Sequence, residues 1–167
     1  MGVRDHKAKA GDLIAEFAVI TTSDTRTEKT DESGRVATGL LEGAGHRCAG
    51  RELVPNDLLK IRASIRRWLK KGADLVLVTG GTGAGPRDLS IEAAQALFDR
   101  EMPGFGELFR FLSHKEIGSA AMLSRASLGL VKGRVVCVTP GSPKAVRLAL
   151  KELLVPELAH LVSQARG

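Results

Sequence analysis

The sequence predicts one α/β domain: a three-layer α/β/α arrangement around a mostly parallel central sheet. Three observations predict it. Apolar strand-like runs alternate with amphipathic helical runs, an order that implies parallel strands joined by helical crossovers on both faces. The run "ADLVLVTGG" (73–81) is almost wholly apolar, as a central strand covered on both sides must be. A chain of 167 residues with 43% hydrophobic content is enough for one closed core, and no linker, repeat or low-complexity segment divides it. The expected boundaries are a mobile N-terminal arm over 1–14 and a single domain over 15–167.

Each element has a local reason. "EFAVITTS" (16–23) is a buried strand rich in β-branched residues. "SGRVATGLLEGAG" (33–45) predicts a helix with Ser33 as N-cap, an apolar stripe at Val36, Leu40 and Leu41, and glycines at its end. "HRCAGRELV" (46–54) predicts a second strand. The helix over 56–72 is the clearest, with Leu58, Ile61, Ile65, Trp68 and Leu69 on one face and Gly72 as its stop. Strand 73–81 is followed by a helix over 90–102 capped by Ser90. Residues 104–124 are helical in part, broken at Gly118, and 125–142 form two short strands around "VKGR". The last helix (143–164) opens on Pro143 and should kink or split at Pro156.

Composition narrows the function. No apolar run approaches the roughly 18–20 residues that span a bilayer, and "MGVRDHKAKAGD" lacks the apolar core of a signal peptide. His6 stands where a myristoylation signal needs Ser or Thr. Cys48 and Cys137 lie in apolar runs and read as buried thiols of a cytoplasmic protein. The four histidines form no short cluster, which argues against zinc. The formal charge of +6 admits nucleic acid or an anionic small molecule. The positive charges are dispersed and there is no Tyr, so nucleic acid is not expected, nor is a membrane.

In such folds ligands bind outside the carboxyl ends of the strands, which singles out three loops. "TGGTGAGPRD" (79–88) carries four glycines in six positions, Gly80 to Gly85. It is neither a Walker A sequence nor a dinucleotide fingerprint. Its bare backbone still lets N–H groups approach an anion, with Thr79 and Thr82 adding hydroxyls. Asp88 reads either as a helix cap or as a magnesium ligand, and Arg87 as a surface charge or a phosphate contact. "TPGSPK" (139–144) repeats the theme: Pro140, Gly141 and Ser142 turn, Pro143 opens a helix, and Lys144 adds charge. "TTSDTRTEKTDESG" (21–34) is a flexible surface loop or a lid that brings Ser23 and Asp24 to the site. After the second strand, Asn56 reads as a cap, and Asp57 as a partner of the helix dipole or of a metal.

Together "TGGTGAGPRDLSIEA", "MPGFGELFR", "SRASLG" and "PGSPKAVRLAL" resemble the MoaB/Mog family of molybdenum cofactor biosynthesis proteins over Phe17 to about Leu161. The run "FRFLSHKEIGSAAMLSRA" (109–126) and the chain length resemble its MoaB branch. The resemblance implies a molybdopterin-binding-like fold. It implies a molybdopterin adenylyltransferase, which joins AMP from Mg-ATP to the terminal phosphate of molybdopterin and releases pyrophosphate. A non-catalytic pterin carrier on the same scaffold is the alternative. Implied substrates are a pterin phosphate and a nucleotide, with Mg²⁺ as cofactor and a homo-oligomer, trimer or hexamer, as the assembly. Thr79, Gly80, Gly81, Thr82 and Gly83, with 140–144, would hold the pterin and its phosphate. Asp88 matches the family's essential aspartate, and Asn56 stands where a second aspartate is expected, with Asp57 beside it.

Overall fold

The computed structural model describes residues 13–167. All of the arm expected at 1–14 except Leu13 and Ile14 lies outside them. The elements are β1 (Glu16–Thr22), α1 (Glu32–Gly43), β2 (Arg47–Val54), α2 (Leu58–Lys71), β3 (Leu75–Thr79), α3 (Ser90–Gln95), β4 (Arg100–Glu101), α4 (Pro103–Ile117), β5 (Ser127–Val131), β6 (Arg134–Thr139), α5 (Pro143–Leu148) and α6 (Val155–Arg166). A 3₁₀ turn (Gly118–Leu123) follows α4, and a π-helical stretch (Ala149–Leu154) joins α5 to α6.

The six strands lie in the order β2-β1-β3-β6-β5-β4. β2, β1, β3 and β6 are parallel, while β5 and β4 run antiparallel at one edge. Strand alternation sorts the side chains onto two faces. Phe17, Val19, Leu75, Leu77, Val135 and Cys137 face α1 and the α4–α6 layer through Leu41, Phe109, Leu150 and Leu158. Ala18, Ile20, Val76, Val78, Val136 and Val138 face α2 and α3 through Ile61, Ile65, Trp68 and Ile91. Each fully buried Leu or Ile in these layers contributes about 1.5–3 kcal/mol.

The ends of the helices differ from expectation in four places, one of them the α2 cap, which is Asp57 and not Asn56. Asp31, not Ser33, caps α1 and accepts from the Gly34 N–H at 2.9 Å. Ser33 lies inside the helix, and its hydroxyl donates to the Gly141 carbonyl at 2.6 Å. Ser90 begins α3 without capping it; buried, its Oγ lies 3.1 Å from the Thr22 Oγ1. The helix expected over 90–102 stops at Gln95. The Asp99 and Met102 N–H groups bond instead to the Leu130 and Leu128 carbonyls, both at 2.8 Å, so β-edge pairing replaces further helical turns. At the C-terminus the run divides as expected near Pro156: a π stretch separates α5 from α6, and Pro156 stands second in α6. Proline lacks an N–H and crowds the preceding turn, and the wider π stretch over Ala149–Leu154 precedes it.

Candidate functional site

Three threonines lie at one level: Thr79 and Thr139, which end β3 and β6, are in register with Thr21, one residue before the end of β1. Beyond them the backbone turns away, and its polar groups are shared between loops. Gly80 N–H donates to the Thr139 carbonyl at 3.0 Å, and Thr79 Oγ1 donates to the Pro140 carbonyl at 3.1 Å. Gly80 and Gly81 have φ of 96° and 61°. A Cβ at Gly80 would come within 2.5 Å of the Thr22 carbonyl oxygen, and one at Gly141 within 2.9 Å of the Gly80 Cα. Glycine is required at both positions by this contact of backbone on backbone.

The loops enclose a cavity of about 470 Å³, a size suited to a small ligand. Its wall brings together Thr79, Gly80, Gly81, Thr82, Gly83 and Asp88 from the β3 loop with Pro140, Gly141 and Ser142 from the β6 loop. Thr21, Thr22, Arg26, Leu123 and Ser124 complete it. Ser142 also caps α5, accepting from the Ala145 N–H at 3.1 Å. Thr139 Oγ1 is buried without a hydrogen-bond partner, as is Asn56 Oδ1, which lies 2.6 Å from the position of a Cβ on Gly81.

Asp88 sits at the end of the glycine loop, where its Oδ2 accepts from the Gly85 N–H at 3.0 Å. The loop is held from outside by Arg125. That guanidinium donates to the Thr82 carbonyl at 2.9 Å and the Asp88 carbonyl at 2.8 Å, and pairs with Glu92. The Arg125 hydrogen bond holds the Glu92 carboxyl below its ordinary range. Sequence reasoning assigned no role to Arg125, Arg26 or Ser124. Arg125 reaches residues 43 and 37 positions earlier, a contact that no local pattern reports.

The remaining predicted residues lie outside the cavity wall. Ser23 closes a tight turn, its Oγ accepting from the Thr25 and Arg26 N–H groups. Asp24 accepts from Asn56 N at 3.0 Å and Nδ2 at 3.2 Å, and pairs with Arg87 at 2.9 Å. Those Asn56 donors, with Arg87 beside them, hold the Asp24 carboxyl below its usual value. Asp57 caps α2, accepting from the Lys60 N–H at 2.9 Å. Lys144 is exposed and paired with Glu116 at 3.2 Å.

Among the described residues, no group of three or more His, Cys, Asp or Glu could hold a metal ion. A magnesium ion bound through nucleotide phosphates needs only one or two protein oxygens. Asp88 in the cavity wall offers a hard oxygen of that kind, and the unpartnered Asn56 Oδ1, buried beside Gly81 and outside the wall, is a second candidate donor. Among the described residues, no helix is long and apolar enough to cross a membrane.

Comparison with known proteins identifies the scaffold. Residues 18–160 match the model of the probable molybdopterin binding domain. The chain is 46% identical to molybdenum cofactor biosynthesis protein B of Bacillus subtilis (strain 168), over 99% of this chain and 98% of that protein. A crystal structure of a molybdenum cofactor biosynthesis protein B superposes with TM-score 0.89 at 46% identity, covering 92% of this chain and 96% of the other. The tungsten cofactor synthesizing protein MoaB from Pyrococcus furiosus superposes with TM-score 0.84 at 36% identity, over 92% and 98% of the two chains. This chain therefore belongs to the MoaB/Mog family of molybdenum cofactor biosynthesis proteins, in its MoaB branch.

Proposed function

We propose that this chain serves molybdenum cofactor biosynthesis as a molybdopterin adenylyltransferase. In this reaction a terminal phosphate oxygen of molybdopterin attacks the α-phosphorus of ATP. The new P–O bond replaces the bond to the bridging oxygen, which leaves with pyrophosphate. The observation that carries the reading is the single cavity formed by two glycine-lined strand ends, with one carboxylate, Asp88, in its wall. Nucleotidyl transfer depends mainly on positioning and charge stabilisation.

The chain's own groups take these roles. The Gly80 N–H is committed to the Thr139 carbonyl, so the backbone N–H groups of Gly81–Gly83 and the hydroxyls of Thr82 and Ser142 hold the phosphate. Arg26 supplies positive charge at the wall. Asp88 and Asn56 are the side chains that would hold Mg²⁺, which when bound offsets charge on the nucleotide phosphates. Ser23 and Asp24 shape the lip, Asp57 stabilises α2, and Lys144 contributes at long range. A cytoplasmic homo-oligomer, trimer or hexamer, belongs to the same reading, with no nucleic-acid or membrane partner.

A second reading, a pterin carrier without turnover, draws on Asn56. The position has a carbonyl oxygen but no negative charge, which leaves Asp88 as the cavity's one carboxylate. Pyrophosphate release from ATP and molybdopterin separates the two. Asp88→Ala is expected to cut turnover at least a hundredfold while pterin affinity changes only a few-fold. Absence of pyrophosphate from folded wild-type protein would leave the carrier reading standing and reject the transferase.

A further inference from the structure

A second cavity, of about 570 Å³, lies at the opposite end of the sheet. It is bounded by α2, the turn after α3 and the β5–β6 hairpin, at the side where the parallel strands begin. The five-residue β3 separates this level from the glycine loops by ~17 Å at about 3.3 Å per residue. Its apolar floor includes Leu69, Leu97 and Val131.

The charges around it are unbalanced. Arg66, Lys70, Lys132 and Arg134 line the cavity against one acid, Asp99. Arg134 is already paired with Asp74 and bonded to the Ala73 carbonyl. Asp99 accepts from the Lys132 backbone N–H, which braces the hairpin. Among the described residues no carboxylate pairs with Arg66, Lys70 or Lys132. Arginines elsewhere do find acids, as Arg47, Arg51, Arg67, Arg87 and Arg125 show.

The source of the excess is α2. The helix "LLKIRASIRRWLKK" contains no acidic residue. Arg62, Arg66 and Lys70 follow one another at four-residue spacing, where like charges repel and destabilise a helix. Arg67 is drawn off to Glu52 and Lys71 to the Trp68 ring. Arg66 and Lys70 are left facing the cavity with Lys132 across from them. Three free cations suit a phosphate monoester, which carries about two negative charges near neutral pH. Guanidinium grips phosphate with two parallel hydrogen bonds, and the apolar floor suits a non-polar body.

We propose that this cavity is a separate binding site for a small organic phosphate with an apolar body. It is independent of the ligand at the glycine loops. Phenyl phosphate and inorganic phosphate are the probes, titrated into the full-length protein and followed by amide chemical-shift changes at low and moderate salt. Phenyl phosphate is expected to shift residues 66–70, 96–99 and 131–134, and to bind at least tenfold more tightly than inorganic phosphate. The double variant Arg66→Gln/Lys70→Gln should weaken it at least tenfold, and so should Lys132→Gln, which alters the hairpin and not the helix. Asp88→Ala should leave it unchanged. Shifts confined to 79–88 and 140–144 would overturn the proposal. So would equal affinity for the two probes, or affinity unaffected in both cleft variants.

Discussion

His46 illustrates how one side chain couples the fold to pH. Its Nδ1 accepts from the Ala15 N–H at 3.3 Å, a role open only to the neutral ring. Burial holds its imidazole below the ordinary histidine value. A depressed folded value means that the unfolded chain binds the proton more readily. The contribution is therefore complete above the unfolded value, ~6.5, and is lost as pH falls through the folded one. Thermal unfolding of wild type and His46→Leu between pH 8 and 5 checks this. The wild-type midpoint should fall more steeply with acid, and parallel curves would contradict it. Asn56 is the other instructive residue. The family resemblance expects an acid at its position, whereas its two bonds to Asp24 are not legible in the sequence, because they join loops 32 positions apart.

Among the elements, those that follow from local pattern were legible. β3 reads as central because its run is apolar, and every one of its residues is buried. α2 stops at Gly72, as expected, with φ of 107°. The errors occurred where tertiary partners outbid local preference. Ser33 and Ser90 have the chemistry of caps, yet their hydroxyls serve the Gly141 carbonyl and Thr22. The α3 run has helical residues through Glu101, but its last residues pair with β5. The glycine loop was identifiable from composition, whereas its clamp was not. Arg125 binds two loop carbonyls and Glu92 at once, and lysine, with a single nitrogen, cannot span all three. Arg125→Lys is expected to destabilise the protein by about 1–3 kcal/mol and to speed hydrogen exchange of the amides over 80–89. Unchanged exchange there would show that the clamp is dispensable.

At the scale of the whole molecule the layer order was readable from strand and helix alternation, because both faces of a parallel sheet must be covered. The surface is a different matter. Leu108 and Phe111 on α4 are 53% and 61% exposed, and Leu108 borders an apolar cavity with Phe105, Leu153 and Leu161. For the assembly that the family resemblance implies, this surface is one apolar area available to be covered. Sedimentation velocity should then give a trimer or hexamer, with Leu108→Glu/Phe111→Glu shifting the population toward monomer. A monomeric wild type at tens of micromolar would refute the assembly.

The near-contact between Gly80 and Gly141 also constrains motion. Two loops that meet main chain to main chain, with no side chains as cushion, move as a single jaw. Neither can swing aside to admit or discharge a bulky guest without dragging the other. Opening then falls to the walls that are not glycine-lined, the polar stretch 23–30 with Arg26 and the segment with Leu123 and Ser124, and substitutions that stiffen either should slow exchange of ligand more than they alter its final affinity.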